Sequence, residues 1–243
     1  MKGVQSKAED GEDVITQKEP CDCNLSKIKL PKSFMLVGGS QSGKTWLVKD
    51  LMQVRKHIFD PPPREIIFCY TAWQKIYDEL QGELQDTITF RTDIPSKQEL
   101  LDMYEKDPGH RILILDDKMT VLRDSPEGRN VVEIVTIVAH HCCFSCFVLT
   151  QNLFHSSIQR EISLNCQYLV LFRNSRSYQQ IRTLGSQLMK GQLDYFVDAY
   201  EKATTNRKFG YLWIDLCPET NPKYKLKSCI LPGDDLLVYL PLK

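Results

Sequence analysis

From residue 28 onward, short apolar runs alternate with longer stretches in which apolar positions recur at helical spacing. "SFMLVGG" (33–39), "REIIFCYT" (64–71), "HRILILDD" (110–117), "CFSCFVLTQN" (143–152) and "QYLVLFRN" (167–174) have the continuous apolar character of buried strands. Between them, "GKTWLVKDLMQVRKHI" (43–58) carries Leu47, Val48, Leu51 and Met52 on one helical face. Asp60 and Pro61 to Pro63 stop that helix. "QKIYDELQGEL" (74–84), "SKQELLDMYEKD" (96–107), "GRNVVEIVTIVAHH" (128–141), "SYQQIRTLGSQL" (177–188) and "GQLDYFVDAYEKAT" (191–204) also predict helices. Ser96 followed by Glu99 is a capping box.

"TITFRTDI" (87–94) is an edge strand or a loop, and "KFGYLWIDL" (208–216) with "YKLKSCILP" (224–232) predicts a terminal β pair. The alternation predicts an α/β fold with a mainly parallel central sheet covered on both faces. Residues 1–27 contrast with it: "SKAEDGEDVITQKEP" (6–20) is charged and nearly without large apolar residues, which predicts a disordered tail before one folded domain, 28–243. Cys21 and Cys23 end this tail, too few thiols for a zinc site.

Composition narrows the function classes. Lys+Arg and Asp+Glu are both 31, so the formal net charge is zero and bulk charge does not drive nucleic-acid coating. No apolar run reaches the eighteen residues of a membrane span, and the N-terminus has no signal-peptide core. Nine cysteines, several inside apolar runs, predict a reduced intracellular protein. Cys143 and Cys146 in "HHCCFSC" (140–146) would point to opposite faces of a strand, so they predict buried thiols and not a metal site.

The candidate chemistry begins at Gly38-Gly39-Ser40-Gln41-Ser42-Gly43-Lys44-Thr45, a full match to G-x-x-x-x-G-K-[ST] between a strand and a helix. Backbone N–H groups of such a loop converge on phosphate oxygens, and the helix N-terminus adds positive potential. Lys44 would reach the β- and γ-phosphates of ATP, and Thr45 would ligate Mg²⁺; Trp46, next in the chain, joins the cofactor-binding set.

"ILILDD" ends a strand on two carboxylates at the sheet edge where α/β proteins bind ligands. Asp116 is the expected Mg²⁺ ligand, and Asp117 the carboxylate that orients water, where the wider class usually has glutamate. The strand at 64–71 has room to insert between the phosphate-loop strand and the Asp116 strand, which would make this the additional-strand type of P-loop NTPase. Gln151, at the tip of the fourth strand, can touch the γ-phosphate or the attacking water; its alternative is a loop cap.

Together "MLVGGSQSGKT" (35–45), "ILILDD" (112–117), "VLTQNLFHSSIQREISLNCQYLVLFRNSR" (148–176) and "FGYLWIDLCPET" (209–220) resemble the genome-packaging ATPases of the FtsK/HerA superfamily, those of Polinton (Maverick) elements and related DNA viruses in particular. These are relatives of the poxvirus-type packaging ATPase. The resemblance implies an ATP-driven motor that moves double-stranded DNA, without regard to sequence, into a capsid. It implies self-association into a hexameric or pentameric ring, a capsid-protein partner, and a place in the host nucleus or cytoplasm or with the virion. It assigns Lys44 and Thr45 to phosphate and Mg²⁺, Asp116 to Mg²⁺, Asp117 to hydrolysis and Gln151 to sensing. It also calls for an arginine from the neighbouring subunit: Arg160 first, Arg173 and Arg176 next, each with a surface arginine as the alternative.

Lys223, Lys225 and Lys227 form a short stripe that could face DNA, or protect an edge strand. A small-molecule or nucleoside kinase would share the phosphate loop but needs a lid. A nucleotide-binding assembly protein with low turnover is the third reading, and Asp117 is the argument for it.

Overall fold

A computed structural model describes residues 14–19, 27–118 and 121–242. Cys21 and Cys23 lie outside the described residues.

Ten strands form one sheet. In chain order they are β1 (Val14–Glu19), β2 (Phe34–Val37), β3 (Glu65–Cys69), β4 (Ile88–Arg91), β5 (Arg111–Leu115), β6 (Phe144–Thr150), β7 (Tyr168–Phe172), β8 (Tyr211–Asp215), β9 (Leu226–Ser228) and β10 (Leu236–Pro241). Across the sheet the order is β1-β10-β9-β8-β7-β2-β6-β5-β3-β4. The six strands from β7 to β4 are parallel. β8, β9, β10 and β1 extend the sheet antiparallel.

Side chains of the central strands alternate between two apolar layers, as the period-2 pleat requires. Phe34 and Leu36 of β2 join one layer with helices α1 (Lys44–Gln53) and α2 (Lys75–Leu84). Met35 and Val37 join the other, with α3 (Lys97–Lys106), α4 (Pro126–Glu133), α5 (Ser157–Asn165), α6 (Tyr178–Leu188) and α7 (Leu193–Thr205). α4 runs on through a π-helical turn, Ile134–Val138, into Ala139–His141. Ser96 caps α3, accepting from Glu99 N at 3.1 Å. The Glu99 carboxylate pairs with Arg91 instead of closing the box.

The fold is the additional-strand type, but the inserted strand is a different one from that expected. β6 lies between β2 and β5, and β3 lies on the far side of β5. The physical reason is burial. All seven residues of β6 are buried, whereas β3 opens on the half-buried Glu65, which pairs with Arg111 at 2.9 Å. The longest doubly covered run takes the central position.

Two further differences concern the sheet's antiparallel end. Val14–Glu19, expected within the disordered tail, pairs with β10 from Val14↔Pro241 to Glu19↔Leu236. Leu236–Pro241 is a further strand between β1 and β9, beyond the expected terminal pair. An edge strand needs backbone partners on one side only, so "VITQKE" pairs without an apolar pattern to announce it.

Candidate active site

The phosphate loop leaves β2 and is tied to its neighbour at once: Gly38 N donates to Thr150 O at 3.1 Å. A Cβ at Gly38 would come within 2.6 Å of Phe172 Cβ and of Ser42 Oγ. Gly43 starts α1 with φ +107°, a left-handed value open to glycine. These two glycines let the loop curl tightly against β7 and the segment carrying Phe209. The Ser42 hydroxyl is buried without a hydrogen-bond partner, which leaves a donor inside the loop unused.

Lys44 folds back over the loop. Its Nζ donates to Gly38 O at 2.7 Å and Gly39 O at 2.9 Å. Burial lowers its pKa from the ordinary lysine value, against the opposing pull of Asp116 and Asp117. Thr45 Oγ1 donates to Asp116 Oδ2 at 2.9 Å, so hydroxyl and carboxylate meet from positions 71 residues apart.

Asp116 is only 3% exposed. Burial raises its pKa, while hydrogen bonds from Tyr77 and Thr45 act the other way. Tyr77 OH donates to the same Oδ2 at 2.9 Å. An oxygen pair of this kind fits a hard divalent cation, for which Thr45 and Asp116 would supply the protein ligands. No group of three or more His, Cys, Asp or Glu side chains suits a metal among the described residues.

Asp117 turns away from the strand at φ +57°, with its carboxylate exposed. Its carbonyl accepts from Thr71 Oγ1 at 2.9 Å, which fixes the turn. Lys118, buried, donates to Tyr70 O at 2.6 Å and also to Thr92 O. It thereby clamps the tips of β3 and β4 behind the carboxylates. Nothing in the sequence pattern singled out Tyr77 or Lys118; an aromatic on the next helix and a lysine after two aspartates are too common.

One cavity of about 770 Å³ collects these parts. Ser40 to Trp46, Asp116, Asp117 and Gln151 all line it. Gln151 reaches it from the end of β6, between the loop and the carboxylates. Buried Gln159 braces that strand end, its Nε2 donating to Thr150 Oγ1 at 3.1 Å and its Oε1 accepting from His155 N at 3.1 Å.

The arginines separate. Arg160 is exposed on α5 and is absent from the residues lining the cavity. Its helix packs through Ile158 and Ile162 into the layer opposite α1. Arg173 lines an adjoining cavity of about 360 Å³ with Gln41, Ser42, Arg207 and Lys208, on its own subunit's phosphate loop. That position suits contact within the subunit better than reach into a neighbour. Arg176 is exposed in the 3₁₀ turn Ser175–Ser177.

The lysine stripe does not form. Lys223 lies within a 3₁₀ turn, Pro222–Tyr224, Lys225 follows that turn, and the strand is limited to Leu226–Ser228. Lys227 is mostly buried and pairs with Asp215 at 3.0 Å. Prolines and asparagine before the strand break the extended run that alternation would need. Cys143 lies at φ +55° before β6, half-buried, and Cys146 is buried within the strand.

No protein family description matches the sequence, nor does any curated protein. Solved structures do resemble the fold. The DNA-packaging ATPase B204 from Sulfolobus Turreted Icosahedral Virus superposes with a TM-score of 0.51 at 14% identity, over 87% of this chain and 98% of that one. The genome packaging NTPase B204 from Sulfolobus turreted icosahedral virus 2, in complex with sulfate, gives 0.50 at 15% identity, over 87% and 97%. At such identities the likeness establishes the P-loop α/β fold.

Proposed function

We propose that this chain is the Mg²⁺-dependent ATPase subunit of a motor that moves double-stranded DNA into a capsid. The observation that carries the reading is the joining of Thr45 and Asp116 beneath a complete phosphate loop, with Asp117 and Gln151 on the same cavity. The shared fold with packaging ATPases supports it, and so do the sequence motifs.

In this reading the loop amides and Lys44 hold the β- and γ-phosphates. Mg²⁺, when bound, neutralises charge developing on the transferring phosphoryl group. Thr45 and Asp116 would hold that ion. Asp117 orients the attacking water, and Gln151 touches the water or the γ-phosphate. The in-line displacement breaks the bond between the β,γ-bridging oxygen and the γ-phosphorus as water adds to that phosphorus. The water's proton passes to solvent or to phosphate oxygen, releasing ADP and inorganic phosphate.

Arg160, outside its own cavity, completes a neighbour's site in a hexameric or pentameric ring. DNA is gripped without sequence readout, a capsid protein docks the ring, and relatives belong to Polinton-type elements and poxvirus-like viruses. The site of action is the host nucleus or cytoplasm, or the virion. Lys44→Ala tests the hydrolytic site: ATP turnover falls at least a hundredfold in a folded protein. Wild-type turnover in that variant rules the reading out.

A further inference from the structure

Trp46 and Phe209 are two large aromatics left 46% and 37% exposed at the rim of the phosphate-loop cavity. Trp46 stands in the first turn of α1, three residues after Gly43. Phe209 comes from the loop between α7 and β8 and sits at φ +60°. A bulky side chain in left-handed backbone is unfavourable, and such outliers cluster at functional sites. The loop enforces it: Gly210 N donates to Arg207 O at 3.1 Å, and a Cβ at Gly210 would meet Ala203 O at 2.5 Å. The result holds Phe209 over Gly43, where a Cβ would come within 2.6 Å of Phe209 Cβ.

The two ring planes are within 12° of parallel, with centroids 6.5 Å apart. A flat heteroaromatic ring laid against one is therefore parallel to the other. Lys49 Nζ lies 4.8 Å from the Trp46 ring centroid and Lys208 Nζ 4.9 Å from that of Phe209. Each ring thus has one face beside an ammonium and still exposes surface to solvent. The cavity they border is large enough for a whole nucleotide.

We infer that Trp46 and Phe209 form the platform on which the nucleobase of the bound triphosphate stacks. This rests on the phosphate-loop reading above and adds the base to it. Stacking on a π-face is tolerant of base identity and grows with ring area, so purine nucleotides are held more tightly than pyrimidine ones. Removing one stacking partner costs about tenfold in affinity.

The test is equilibrium binding to the full chain of two probes, ATP and inorganic tripolyphosphate, with Mg²⁺ present. Trp46→Ala and Phe209→Leu should each weaken ATP by about tenfold and leave tripolyphosphate unchanged. Trp46→Phe, which keeps a π-face, should restore most of the ATP affinity. If ATP binding is unchanged in both variants, or falls equally for both probes, the platform assignment is overturned. Lys44→Ala separates the two ideas: it should weaken both probes together. If it weakens neither, the phosphate-loop reading fails instead.

Discussion

Tyr77 and Thr45 share one acceptor: each donates to Asp116 Oδ2 at 2.9 Å. The carboxylate expected to hold Mg²⁺ is thus aimed by two neighbouring helices of one layer, α1 through Thr45 and α2 through Tyr77. The Tyr77 ring is fixed in turn by Phe68, Tyr70, Trp73 and Phe90. Tyr77→Phe keeps that packing and removes the phenol donor. A hydrogen bond to a charged group contributes about 1.5–3 kcal/mol, so roughly tenfold or more Mg²⁺ should be needed for half-maximal turnover. A titration of ATPase rate against Mg²⁺ checks this, and an unchanged curve would remove Tyr77 from the site.

Arg160 lies outside the cavity its own phosphate loop lines. If it acts on a neighbour, Arg160→Ala subunits and Lys44→Ala subunits are each inactive alone and partly active when mixed. The mixed assembly retains some sites with Lys44 from one chain and Arg160 from the next. ATP turnover of mixtures, in which mixed assembly is verified by mass, reads the result. No recovery would assign Arg160 to the surface.

The Lys227–Asp215 pair is a structural one. Asp215 is 5% exposed and also accepts from Cys217 N at 3.1 Å and Thr220 Oγ1 at 2.9 Å. Lys227→Met leaves a buried carboxylate without its ammonium, a loss of about 3–5 kcal/mol. Chemical denaturation should show that loss, with DNA affinity unchanged under conditions where the variant is folded. A stable variant with weakened DNA binding would restore the stripe idea.

Burial pushes the Cys69 and Cys146 thiols up to about 12, whereas Cys143 and Cys229 are only half-buried. Alkylation at pH 8 should therefore modify Cys143 and Cys229 well before the other two, as mass spectrometry of digests can read. The sign for stability follows from linkage. In the unfolded chain these thiols ionise near the ordinary value of 9.0 and in the folded protein they stay protonated. Stability should fall as pH rises past that value, because ionisation then favours the unfolded state.

Much of the site was legible because its parts are local. The loop from Gly38 to Thr45 carries its own conformation in its glycines, and "ILILDD" carries its direction in the strand before it. What brings them together is not local. The position of β6 between β2 and β5 depends on which strand is covered on both faces, and β3 was the wrong strand to expect there. Tyr77, Lys118 and Phe209 matter through partners far along the chain, and their residue types alone announce none of those contacts. β1 is hard to read for a different reason: pairing at a sheet edge asks little of the side chains. β10 is paired on both sides and carries an apolar run, Leu236–Leu240, so its strand character is local and legible.

In the proposed function this nucleotide site drives movement along DNA in an assembled ring. Its most direct test is ATP turnover with and without double-stranded DNA, with particle mass measured in the same buffer. The expected outcome is a ring-sized assembly whose turnover rises several-fold with DNA of any sequence and disappears in Lys44→Ala. A monomer or dimer whose turnover ignores DNA would contradict it.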